Sequence, residues 1–148
     1  MADLKRKGDL AELAVAHDLV RLGYRVAFPF GEDNDFDLIL LRPTGEMERV
    51  QVKHTRSDGH VIEVRCCSHS LTNGKVRATK LYTAETVDWV AVFDATTSRC
   101  FYVPAHLLGE GRRTISLRYD SSLVGWRSNM HAAEDYAVPT LRQLPLAA

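Results

Sequence analysis

The sequence predicts an α/β sandwich, in which one helix leads into a run of adjacent strands forming a largely mixed sheet. Three observations carry this. In residues 4–23, Ala11, Val15, Leu19 and Leu22 are spaced by four, four and three, the period of one buried helix face. Residues 36–41 (FDLILL) are short and apolar on both faces, as a central strand is. After them come short apolar segments separated by the turn residues Pro43-Thr44-Gly45 and Ser57-Asp58-Gly59.

Taken in order, the helix over 4–23 stops at Gly23, where a glycine in the left-handed region caps the C-terminus. Residues 24–28 read as a strand, 29–34 as a loop and 36–41 as the central strand. Residues 47–55 (MERVQVKHT) form the hairpin partner and 61–66 another strand. Residues 67–86 carry no clear period, and a helix over 78–86 is compatible with them. Residues 87–93 and 100–103 read as strands around a turn at 95–99. A short helix near His106, a strand at 114–118 and an irregular tail complete the chain.

With 148 residues the chain is read as one domain over 1–148, large enough to bury roughly 68–70% of its unfolded surface. Its hydrophobic content of 45% and charged content of 26% are those of a globular protein. Three cysteines exclude a disulfide-stapled scaffold. With neither a long apolar run nor a signal-peptide pattern, the expected location is cytoplasmic. The net charge is zero, but it is a cancellation. Residues 1–48 hold 6 basic and 10 acidic side chains, residues 49–80 hold 7 and 2, and residues 81–148 hold 6 and 7. The middle stretch, with Arg56, Lys75, Arg77 and Lys80, and the shorter cluster Lys5-Arg6-Lys7 are the electrostatic footprint a phosphate backbone needs. A solvated polar face would have the same composition.

Several polar residues break the pattern around them. Glu12 falls on the stripe of Val15, Ala16 and Leu19, so its carboxylate is expected to face the sheet. Burying it is costly unless it is paired or holds a metal; pairing with Lys5 or His17, or a place at the helix edge, is the structural alternative. Asp37 opens the central strand behind an acidic loop (Gly31-Glu32-Asp33-Asn34-Asp35), where it can also serve to cap a turn. Gln51 and Lys53 alternate with Val50 and Val52, so they share one strand face about 6.6–7 Å apart. That face can equally be the solvent side of an amphipathic strand.

In this order the residues resemble the PD-(D/E)xK nuclease superfamily, whose restriction-endonuclease-like αβββαβ core has a mixed central sheet flanked by helices. The chain looks most like the small group related to the homing endonucleases of bacterial group I introns. The resemblance rests on Gly8-Asp9-Leu10-Ala11-Glu12, on residues 24–31 (YRVAFPFG), on Phe36-Asp37-Leu38 and on Val50-Gln51-Val52-Lys53. It covers roughly the first 60 residues well, extends through Val87-Asp88-Trp89 and is faint after Val103. Archaeal Holliday-junction resolvases are similar in the helical Glu and the core.

The resemblance implies Mg²⁺- or Mn²⁺-dependent DNA cleavage, with Glu12, Asp37, Gln51 and Lys53 as the catalytic set. Asp37, Gln51 and the Val52 carbonyl would hold the metal with help from Glu12. Lys53 would orient the attacking water or oppose the developing phosphorane charge. Gln51 stands where the wider superfamily has a carboxylate; its amide oxygen can ligate but adds no charge. Burial would lower the Lys53 pKa and neighbouring carboxylates would raise it. Double-strand cutting calls for two sites, hence a homodimer or homotetramer, with residues 67–86 and the C-terminal third as candidate interfaces. A structure-selective junction resolvase and a non-catalytic DNA-binding module on the same fold are the alternatives.

Other constellations point elsewhere. Cys66, Cys67 and Cys100 lack zinc spacing and read as core thiols. His54 has the parity opposite to Lys53, Asp35 reads as a loop residue, and Trp89 and Trp126 read as core.

Overall fold

The computed structural model describes residues 2–72, 75–120 and 130–140. Helix α1 runs from Ala2 to Arg21, with Asp3 in its first turn and Arg21 in its last, each sign suited to its end of the helix dipole. Ala11, Val15 and Leu19, one helical turn apart, are completely buried. The helix ends as the sequence leads one to expect. Gly23 takes φ +96°, its N–H donates to the Val20 carbonyl, and the Tyr24 N–H reaches back to Leu19.

Five strands form the central sheet, in the order β1-β2-β3-β7-β8. They are β1 (Arg25–Ala27), β2 (Leu38–Leu41), β3 (Met47–Thr55), β7 (Trp89–Asp94) and β8 (Arg99–Pro104). Neighbours are antiparallel except β3 and β7, which run parallel, so the sheet is mixed. Strand β7 is buried on both faces. Its Trp89, Ala91 and Phe93 pack with α1, and its Val90 and Val92 pack on the opposite side.

That opposite side is covered by strands. A three-stranded sheet of β4 (Val61–Arg65), β9 (Thr114–Arg118) and β10 (Met130–Ala132) lays Ile62, Val64, Ile115 and Leu117 against Val90, Val92, Phe101 and Val103. Short 3₁₀ turns at Ala105–Leu108 and Ala133–Tyr136 close this layer. The expected α/β architecture with a mixed sheet is therefore present, with α1 as the one α-helix among the described residues. Its second flank is a β-layer instead of helices.

Residues 67–86 differ as well. The helix compatible with 78–86 is absent. Residues Cys67–Thr72 (β5) and Lys75–Leu81 (β6) pair as an antiparallel hairpin, and 83–86 form a turn closed by the Thr86 and Val87 N–H groups on the Thr83 carbonyl. Cross-strand pairing satisfies this backbone where no apolar helical stripe exists to bury. Together β4, β5 and β6 make the crossover between the parallel strands β3 and β7. The strand expected to be central, β2, begins at Leu38, two residues later than its apolar run, and lies second from the sheet edge; Asp37 is left just outside it. All three cysteines are free and buried, as expected of core thiols. Trp89 is buried too, whereas Trp126 lies outside the described residues. No helix among the described residues is long and apolar enough to cross a membrane.

Candidate active site

The site grows from a point where two strands part. Strand β2 pairs with β3 only over Met47–Val50, while β3 continues to Thr55 alongside β7. Past Val50, the β3 edge that faced β2 needs other partners, and Asp37 supplies one. Its N–H donates to the Val50 carbonyl and its Oδ2 accepts the Val52 N–H, both at 2.9 Å. Asp37 is therefore pinned to the β3 backbone within the Val50-Gln51-Val52-Lys53 segment.

Glu12 and Lys53 both interact with Asp37. Glu12 is half-buried on α1 one residue from the buried Ala11. Its pKa is pushed up to about 7, first by burial, then by the charges of Asp37 and Asp9 and by a hydrogen bond to Asp37 that keeps the proton on Glu12. The Asp37 pKa is also raised. Burial outweighs the Val52 N–H, the Lys53 charge and the Glu12 hydrogen bond, which all favour the carboxylate. Neither carboxylate has an ion-pair partner among the described residues, and Glu12 pairs with neither Lys5 nor His17.

Lys53 points to the strand-covered face. Its Nζ donates to the Cys67 carbonyl at 3.0 Å and lies 5.0 Å from the centre of the Tyr82 ring. Burial lowers its pKa and outweighs the attraction of Asp37, so desolvation wins the contest that sequence leaves open. Gln51 is half-buried on the same strand face, its Nε2 3.4 Å from the Val52 carbonyl oxygen.

Of the basic residues singled out for DNA, Lys5, Arg6, Lys7, Arg56, Lys75 and Lys80 are exposed, and the Arg77 side chain lies outside the described residues. Lys7 pairs with Asp3 at 3.1 Å, and Lys80 forms an ion pair with Asp35. The fold brings Lys7 and Arg56 together around His54, whose pKa is lowered first by burial and then by those two charges. Cys67 and Tyr82, which hold Lys53, carry no sequence signal. One acts through a backbone carbonyl and the other lies in the stretch without a period.

Two carboxylates, an amide and a backbone carbonyl, if they met at one ion, would offer oxygen donors of the kind a hard divalent cation takes. No group of three or more His, Cys, Asp or Glu side chains able to hold a metal occurs among the described residues. The set therefore fits an ion that takes one or two carboxylates and completes its shell with water and substrate phosphate, as Mg²⁺ does.

Known proteins sharpen this reading. The search of curated proteins found no match. Among solved structures the chain is similar to that of the bacterial homing endonuclease I-Ssp6803I, with a TM-score of 0.64 and 19% identity, covering 89% of this chain and 86% of that one. At that identity the likeness establishes the fold. The family model described as PD-(D/E)XK endonuclease matches residues 2–139, nearly the whole chain, and the protein belongs to that family.

Proposed function

We propose that residues 1–148 form a single divalent-metal-dependent endodeoxyribonuclease domain, using Mg²⁺ or Mn²⁺, that makes homing-endonuclease-like double-strand cuts as a homodimer or homotetramer. The observation that carries this is Asp37 pinned to the β3 backbone where β2 and β3 part, with the charges of Glu12 and Lys53 acting on it, in a chain of the PD-(D/E)XK endonuclease family. The family's substrate chemistry and the basic 49–80 stretch support DNA as the partner.

Asp37 and Glu12, with the Gln51 amide and the Val52 carbonyl, are the residues that would hold the cation. When bound, the ion neutralises charge on the phosphate and acidifies a water. The chain's own residues do the rest. Asp37 is oriented by the Val52 N–H, which fixes where its carboxylate points before substrate binds. Lys53, held between the Cys67 carbonyl and the Tyr82 ring, supplies positive charge opposite the developing phosphorane. Glu12 would support the cation directly or through a water, and with a pKa of about 7 in the metal-free chain it would give up its proton near neutrality when the cation binds. Lys5, Arg6, Lys7, Arg56, Lys75, Arg77 and Lys80 would contact the phosphate backbone.

The test is cleavage of linear, supercoiled and four-way-junction DNA with Mg²⁺, Mn²⁺ or EDTA. Cutting of linear duplex in both strands with metal, abolished by EDTA, is the expected result. Cutting of junctions alone assigns the protein as a resolvase. Binding without any cutting assigns it as a non-catalytic module.

A further inference from the structure

We propose that the β5–β6 hairpin is a two-stranded ribbon that enters the major groove of duplex DNA beside the cleavage site; this rests on the reading of the chain as a DNA endonuclease. Among the described strands, β5 and β6 pair only with each other. Such a ribbon gains little stability alone in water, and Lys75, Val76, Ala78, Thr79, Lys80 and Leu81 are all exposed along β6. Six and seven residues make a ribbon roughly 20 Å long, and the B-DNA major groove, about 12 Å wide, admits a two-stranded ribbon. The register shift between Ser70 and Leu71 adds local twist, which helps a ribbon follow a helical groove.

Its chemistry suits the occupant. From residue 64 to residue 84 the chain contains no Asp or Glu, while Arg65, Lys75, Arg77 and Lys80 supply positive charge. The cross-strand pairs Ser68–Lys80 and His69–Thr79 present donors and acceptors, His69 and Thr79 lying 2.9 Å apart. Val76, 58% exposed, offers the apolar contact that a thymine methyl takes. The ribbon is also joined to the site at its base. Cys67 opens β5 and Tyr82 follows β6, and these are the two groups that hold Lys53. Lys80 is ion-paired with Asp35, two residues from Asp37. A duplex holding the ribbon in its groove therefore lies against the same elements that carry the candidate catalytic set.

The experiment is photocrosslinking of the full chain to a random-sequence 30-base-pair duplex in which 5-iodouracil replaces thymine, with Ca²⁺ in place of Mg²⁺. The iodine projects into the major groove. The expected result is crosslinked peptides within residues 67–81, with Val76→Asp binding at least 10-fold more weakly than wild type at an unchanged melting temperature. Lys75→Ala should lower the slope of log Kd against log salt by about 1. Crosslinks confined to other segments, or wild-type binding by Val76→Asp, overturn the proposal while leaving the endonuclease intact if wild type still cuts in Mg²⁺. A change of oligomeric state in Val76→Asp with the salt slope unmoved assigns the ribbon to contact with a second copy and also overturns it. A wild-type protein that neither binds nor cuts duplex DNA removes the endonuclease reading, and this inference with it.

Discussion

The Lys53 ammonium lies 5.0 Å from the centre of the Tyr82 ring, joining strand β3 to the residue that follows β6. The contact makes Tyr82 a positioning residue for Lys53. Cation–π contacts contribute about 0.5–2 kcal/mol, so Tyr82→Leu should slow single-turnover cleavage about 2- to 30-fold with little change in KM. Tyr82→Phe keeps the ring and should restore most of the rate. Equal losses in both variants would assign the effect to the hydroxyl and sink the ring contact.

Asp37 and Lys53 carry the proposed chemistry most directly. Asp37→Asn keeps the shape and an oxygen for the Val52 N–H but removes the charge. By comparison with single groups that stabilise a transition state, loss of either charge should cost about 10²- to 10³-fold in cleavage rate. Circular dichroism and DNA binding should stay near wild type. Cleavage by Asp37→Asn and Lys53→Ala at the wild-type rate would refute the site assignment.

Glu12 makes a prediction about stability. Its pKa is about 7 in the folded chain against 4.5 for the free side chain, so the folded state binds the extra proton between those values. The Glu12 contribution to metal-free stability should therefore be greatest below about pH 4.5, fall as pH rises to about 7, and level off above. Glu12→Gln should remove this slope and melt higher than wild type at pH 8 without metal. Mg²⁺ should raise the wild-type melting temperature at pH 8 more than that of Glu12→Gln. Parallel melting curves for the two proteins from pH 5 to pH 8 would contradict the burial of Glu12 against Asp37.

Away from the site, Glu48 anchors the entry to β3. Its carboxylate forms a bidentate pair with Arg42 and accepts the Trp89 Nε1–H at 2.6 Å, while Arg42 also donates to the Pro139 carbonyl at 2.9 Å. Removing one member of a buried pair leaves a charge without its partner, at a cost of about 3–5 kcal/mol. Glu48→Ala should thus lower the melting temperature by roughly 10 °C, with the cleavage mechanism intact at low temperature. A shift under 2 °C, read by calorimetry, would show the pair to be energetically idle.

The amphipathic stripe of α1, the Gly23 stop, the apolar run at 36–41, strand β3 and strand β9 could all be read from residue order, because each is specified by local periodicity and turn chemistry. So could the oddity of Glu12, Asp37, Gln51 and Lys53, since polar groups in an apolar pattern are visible without coordinates. That β4 and β9 join as a layer over the second face was not legible. The separate hairpin β5–β6 has no period, and β10 is a three-residue strand held by its parallel pairing with β9. Such segments take their conformation from distant partners, which no local window contains.

The sequence by itself determined the α/β class, the resemblance to a nuclease superfamily and the identity of the polar residues that interrupt the core pattern. Tertiary structure alone decided how those residues act on one another. Glu12 and Lys53 are 41 positions apart in the chain, and they act on the same carboxylate only because β2 leaves β3 after Val50 and α1 packs across that point. The direction of each pKa shift was likewise a tertiary outcome. Burial and charge act oppositely on Asp37 and on Lys53, and only the packed surroundings establish that desolvation prevails at both.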